Sequence, residues 1–210
     1  MADTKVSALT AATSFLDADE FPVNEAGISK KVSGTLLKAW IGDVLGNQST
    51  ADQTINASTT AYLTNSNMAV PVGKLRVGSV FLWRVWVNKT AAGTLGVVFT
   101  VRLGTAGTTA DAAVLTFTLP TATGVADEGY IDIVVTVRGP LSGSGILQGG
   151  LRMTHNLSAT GFATIPCVSL AVTSSTFDVT TANLIVGLAC TTPASTVLLF
   201  RQITAEAKNL

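Results

Sequence analysis

The sequence predicts a mainly β protein: an antiparallel β-sandwich preceded by a small N-terminal module of hairpin and helix. Three observations carry that prediction. From Ser79 to the end, runs of strand length follow one another, the earlier ones alternating apolar with polar residues at the two-residue period of half-buried strands. The links between them hold turn residues, as in Gly104-Thr105-Ala106-Gly107 and Ser142-Gly143-Ser144-Gly145. No window of helical length in this region shows an apolar stripe of 3.6-residue period.

The first element precedes that region. FPVNE (21–25) and ISKKVSG (28–34) flank Ala26-Gly27, and a glycine there supplies the positive φ of a tight hairpin turn. Ser33 offers a hydroxyl N-cap to a helix expected from about Gly34 to Leu45. Along it Leu36, Leu37, Trp40, Ile41, Val44 and Leu45 share one face, Lys38 and Asp43 lie opposite, and Gly46 is a natural stop. A helix this short does not hold itself folded in water, so its apolar stripe must dock on the hairpin, on the rest of the chain or on another protein. Residues 1–46 are read as this module, the polar stretch 47–58 as a linker, and 59–210 as the sandwich.

Within 61–77 a short extended stretch is expected, limited by Pro71 and Gly73. Strands then follow at roughly 79–88, 96–103, 112–119, 129–138, 146–156, 165–173, 184–191 and 196–205. About eight strands with turn-rich links is the jelly-roll count. Parity assigns the core faces: Phe81, Trp83, Val85 and Val87; Val97, Phe99, Val101 and Leu103; Ala113, Leu115, Phe117 and Leu119; Ile131, Ile133, Val135 and Val137. Arg84, Trp86, Arg102 and Asp132 fall on the opposite faces. The later strands, in IPCVSLAV and LIVGLAC, are apolar on both sides, which calls for a second covering surface and predicts oligomerisation through this half.

Charge bounds the partners. Only 12% of the 210 residues are charged and the formal net charge is 0, which argues against nucleic acid, since phosphate binding needs a basic surface. Mean hydropathy is +0.47, yet the uncharged stretches 156–177 and 179–200 are broken by Ser, Thr, Pro, Asn or Gly, so no membrane-spanning helix is expected. The start, Met1-Ala2-Asp3-Thr4-Lys5, leads into a polar segment without the apolar core of a secretory signal. Cys167 and Cys190 each sit in an apolar strand pattern, and a disulfide between them requires those strands to be neighbours. Assembly in a reducing cytoplasm is the simpler reading.

The N-terminal residues carry a resemblance. Ser7-Ala8-Leu9, Ala11-Ala12-Thr13, Asp17, Asp19, Phe21-Pro22-Val23, Gly27, Ser29-Lys30-Lys31-Val32 and Leu37-Lys38-Ala39-Trp40 recur in the same order in one family. This head, roughly the first fifth of the chain, resembles the N-terminal virion-attachment module of tailed-bacteriophage fibre and fibre-like structural proteins. The resemblance implies a non-enzymatic virion component assembled in the host cytoplasm. Phe21, Pro22, Val23, Leu36, Leu37, Trp40, Ile41 and Val44 would dock it to another protein of the head, neck or tail. It also implies a short fibre, knob or decoration displayed as a cyclic homotrimer.

Little in the chain suggests catalysis. His155, the single histidine, shares strand parity with Leu147, Leu151, Met153 and Leu157 and reads as a packed core or interface residue. Asp127-Glu128 reads as a solvated turn with Asp132 on the outer face of the next strand, short of a paired-acid constellation. Asp17 to Glu20 lacks the glycine and spacing of a calcium loop, and Gly143 to Gly149 precedes a strand instead of a helix, so neither metal nor cofactor is expected. Two features suggest binding. Between Gln53 and Ala110 there is no acid while Lys74, Arg76, Arg84, Lys89 and Arg102 accumulate, either a solvated face or a docking patch. Trp86, with Arg84 on its own face, could stack on a sugar or on a partner, and Arg102, also on an outward face, is a further candidate contact, giving the alternative of an adhesin for a host-surface glycan.

Overall fold

The computed structural model describes residues 20–25, 28–33, 45–90, 92–139, 141, 145–165, 167–175 and 183–210. The chain divides into two units, Met1–Asp43 and Val44–Leu210. In the first, β1 (Glu20–Glu25) and β2 (Ile28–Ser33) pair antiparallel from Glu20↔Ser33 to Glu25↔Ile28. That is the hairpin expected from the sequence. Phe21, Pro22 and Val23 stand opposite Val32, Lys31 and Lys30. The expected helix, with Leu36, Leu37, Trp40, Ile41 and Val44, lies outside the described residues, and its last residue, Leu45, opens a strand instead.

The second unit is two antiparallel sheets with the apolar core between them. One is seven-stranded, in the order β12 (Cys167–Ser175), β11 (Gly145–His155), β10 (Asp127–Val137), β7 (Val80–Lys89), β14 (Leu198–Lys208), β3 (Leu45–Ser49), with β4 (Gln53–Ile55) also on β14. The other is five-stranded: β5 (Thr60–Tyr62), β13 (Leu184–Thr191), β8 (Val98–Gly104), β9 (Ala112–Thr118), with β6 (Met68–Val70) on β13. Each of the expected long strands is present within about three residues of its expected ends. The first long strand pairs with the last and the second with the seventh, the wrapped pairing of a rolled hairpin, while β10, β11 and β12 form a meander.

The stretch expected as a linker, 47–58, holds most of β3 and all of β4. Apart from the buried Ser49, its polar residues are exposed or partly exposed, while Ile55, 1% exposed, enters the core. Short edge strands need few apolar residues, which is why the composition resembled a linker.

Parity placed the core well. Phe81, Trp83, Val85, Val87, Phe99, Val101, Ile131, Ile133, Val135 and Val137 are all buried. Ala113 is the exception: the β8–β9 register shifts between Val101 and Arg102, Val114 and Leu115 are both buried, and Ala113 turns outward. The double-sided apolar character of β13 is met within the chain. Tyr62 of the neighbouring β5 lies over Gly187, where a Cβ would come within 2.0 Å of its hydroxyl, and Ala189 beside it is fully buried. Cys190 is a buried thiol in β13, whereas Cys167 opens β12 in the other sheet, so their strands are not paired neighbours.

Candidate functional site

Four adjacent strands build one site on the outer face of the seven-stranded sheet. Cross-strand register sets Thr154 (β11), Tyr130 (β10), Trp86 (β7) and Gln202 (β14) in a single row, with Glu128 opposite Asn88 in the next. Alternation turns each of these side chains away from the core. Trp86 is 54% exposed, and its ring meets that of Tyr130 edge-on, with centroids 5.0 Å apart at 62°. The two aromatics flank a groove of about 520 Å³ whose walls also include Glu128, Asn156, Arg201 and Gln202. That volume is within the range of small-ligand sites.

A β-bulge completes the row. The β14–β7 register shifts between Phe200 and Gln202, so Arg201 and Gln202 are both exposed where strict alternation would bury one of them. Arg201 is held by Asp52, Nη1 to Oδ2 at 2.7 Å. The Asn88 amide donates to Glu128 Oε1 at 3.2 Å and the Asn156 amide to Glu128 Oε2 at 3.4 Å, which fixes the carboxylate without neutralising it.

Beneath this surface lies a buried polar cluster. Asp127, read from the sequence as part of a solvated turn, opens β10 facing inward and is 6% exposed. Its carboxylate accepts from the Glu128 and Phe162 backbone N–H groups at 2.9 and 3.1 Å, and Oδ2 lies 2.7 Å from His155 Nδ1. Gly161, at φ +83°, permits the loop this approach, since a Cβ there would come 2.1 Å from Asp127 Oδ2. Lys89, opposite Asp127 in the register, is 1% exposed and donates to the carbonyls of Thr123 at 2.5 Å and Val125 at 3.1 Å. Desolvation lowers its pKa below the ordinary lysine value, and the Asp127 charge opposes that shift. The cluster ties the 121–126 and 161–162 loops to the sheet end, and so sets the position of Glu128 above it.

The other expected binding residues are dispersed. Arg84 is next to Trp86 on the outer face but faces Asp132 at 3.9 Å and Glu206 at 3.8 Å, outside the groove. Arg102 belongs to β8 in the other sheet and donates to the carbonyls of Thr109 and Asp111, both at 2.7 Å. It is a loop brace. Lys89 is buried and Arg76 donates to the backbone carbonyls of Asn209 and Leu210, so the acid-free stretch from Gln53 to Ala110 forms no continuous basic face. Of the residues singled out for binding, only Trp86 lies in the groove. Tyr130, Asn88, Glu128, Asn156 and Arg201 were missed; the available signal was their outward parity beside Trp86, which has force only once the strand order is known. Among the described residues no group of His, Cys, Asp and Glu could hold a metal ion.

No protein-family model matches this chain, and no curated protein does. Among solved structures it is similar to an alginate lyase mutant in complex with an alginate trisaccharide, at 9% identity over 93% of this chain and 100% of that one, with a TM-score of 0.31. A lectin from Bauhinia forficata in complex with GalNAc shares 12% identity over 80% of this chain and 93% of that one, TM-score 0.34. The CBM2 module of the evolved Dit of Lactobacillus casei BL23 phage J-1 shares 11% over 80% and 98%, TM-score 0.28. Identities and TM-scores this low assign neither a fold family nor a function.

Proposed function

We propose that this chain is a non-enzymatic virion component of a tailed phage whose β-sandwich binds a glycan of the host surface in the Trp86 groove. The observation that carries the binding is the exposed Trp86 ring against the half-buried Tyr130, set among side-chain amides, a hydroxyl and a carboxylate. An aromatic platform covers the apolar C–H face of a sugar ring while the surrounding planar polar groups take its hydroxyls. His155 is committed through Nδ1 to Asp127, and both Glu128 oxygens are engaged by amides, an arrangement suited to holding a ligand in place. The N-terminal resemblance to phage attachment modules supports the virion assignment, with Met1–Asp43 as the unit that docks on a head, neck or tail protein. A homotrimer is part of the same proposal, supported by the low charge and by the outer-face residues Val134 and Ile146, 41% and 36% exposed.

Purified full-length protein should label host cells, and Trp86→Ala should abolish the labelling without lowering the melting temperature. Equal labelling by the variant refutes the site. Sedimentation of the same sample should give the mass of a trimer, and virions carrying a 1–43 deletion of the protein should lack it.

A further inference from the structure

Two grooves meet at Glu128. The Trp86 groove and a second one of about 390 Å³, running past Lys89, Thr90, Ala126 and Leu157, share Asn88, Glu128 and Asn156 as their common wall. The shared residues are one unit, since each Glu128 oxygen accepts one of the two amides. A ligand that fills both must therefore cross Glu128.

The charges along this path are unequal. Arg201 is matched by Asp52; Arg84, outside both grooves, by Asp132 and Glu206; and the buried Lys89, which donates to two carbonyls, feels the charge of Asp127 on the wall of the second groove. Among the described residues Glu128 has only neutral hydrogen-bond partners and is exposed, so the charge it presents to a ligand has no counter-ion. An ionised carboxylate only accepts hydrogen bonds. A sugar hydroxyl can donate to it, whereas a uronate, sialate or sulfate group brought to the same place meets like charge.

Resting on the glycan reading above, we infer that the joined grooves take two consecutive sugar units carrying no acidic group, with Glu128 between them. One unit stacks against Trp86 and Tyr130. The next lies over the second groove, and Glu128 accepts hydroxyls from one or both.

The test is the full-length protein on a glycan array of neutral, amino-sugar, sialylated, uronate-bearing and sulfated chains one to six units long. The bound set should consist of non-acidic chains of two or more units. Titration calorimetry on the best-bound chain and its fragments should give at least tenfold tighter binding for the disaccharide than for the monosaccharide. Glu128→Gln, checked for an unchanged thermal melt, should narrow the discrimination against acidic chains at least fivefold. An array led by acidic chains, a monosaccharide bound as tightly as its dimer, or unchanged discrimination in Glu128→Gln overturns this inference and leaves glycan binding intact. Binding to no chain on the array overturns both.

Discussion

Trp83 and Trp86 stand three residues apart on β7 and face opposite ways, so truncating them should have opposite consequences. Trp83 is 1% exposed, stacks near Phe81 with ring centroids 6.2 Å apart, and donates from Nε1 to the Ser66 carbonyl at 2.7 Å. Trp83→Ala should cost about 3–5 kcal/mol, read as a lowered denaturant midpoint. Trp86→Ala should leave that midpoint in place and remove binding. That division was legible from parity alone. Asp127 was not, because adjacent acids at a turn are ordinarily solvated and nothing local announces that Phe162, thirty-five residues on, will donate to one of them. Tyr62 was equally hidden: its hydroxyl is buried over Gly187 without a hydrogen-bond partner among the described residues, and its pKa is pushed up to about 12 by burial first and by the Asp111 charge second. The folded state therefore keeps this proton above the usual value near 10, and the contribution, complete below pH 10, is lost as pH rises towards 12. Tyr62→Phe should melt at or above the parent temperature at neutral pH, since it removes an unpaired hydroxyl. The gap should widen in its favour between pH 10 and 12. Lys89 contributes with the opposite sign in alkali and cancels in the difference between the two proteins. A Tyr62→Phe variant that melts well below the parent at pH 7 would show that the hydroxyl has a partner after all.

At the scale of elements, two bulges separate what alternation could predict from what it could not. An inserted residue reverses the phase of a strand, and a single sequence gives no mark of where the insertion falls. In β9 the effect is on packing, with Val114 recruited to the core and Ala113 expelled. In β14 it is on the site, because the bulge sets Arg201 and Gln202 outward together beside Trp86. The phases on either side of Arg201 are otherwise compatible: Phe200 and Ile203 are buried, and removing one residue between them restores strict alternation. Deleting Arg201 should therefore give a folded protein with a melting temperature within a few degrees of the parent, its ladder made regular. The groove loses its guanidinium and the Asp52 brace, and glycan affinity should fall about tenfold or more, about 1.4 kcal/mol by calorimetry. If affinity is unchanged in the folded deletion variant, the bulge has no part in the site.

For the whole molecule the decisive question is where the sandwich begins. Composition put its start after residue 58, while the contacts put it at Val44. The difference is β3 and β4, which line β14 from Ala207↔Leu45 to Ile203↔Ser49 and from Phe200↔Gln53 to Leu198↔Ile55. They bring more than backbone pairing. Ile55 fills the core, the Asn47 amide donates to the Asn67 carbonyl at 2.8 Å, and the Gln53 side chain bridges the Tyr62 carbonyl and the Thr64 N–H at 2.9 and 2.8 Å. A fragment starting at residue 59 would bare one side of β14 along its length and open the core at Ile55. Burying an isoleucine is worth about 2 kcal/mol, and each lost hydrogen bond about 1 kcal/mol. In a domain of this size, losses of several kcal/mol lower the melting temperature by about 10 °C or more. The bared strand is also an open template for pairing with another chain. Fragment 44–210 should thus melt cooperatively within a few degrees of the full-length protein, and fragment 59–210 should melt about 10 °C lower or sediment as aggregate. Because β14 also carries Arg201 and Gln202, the shorter fragment should lose glycan affinity together with stability, whereas 44–210 should bind like the parent. Equal melting of the two fragments would mean that the sandwich is complete without its first two strands, and that the polar stretch after residue 46 is the linker its composition suggested.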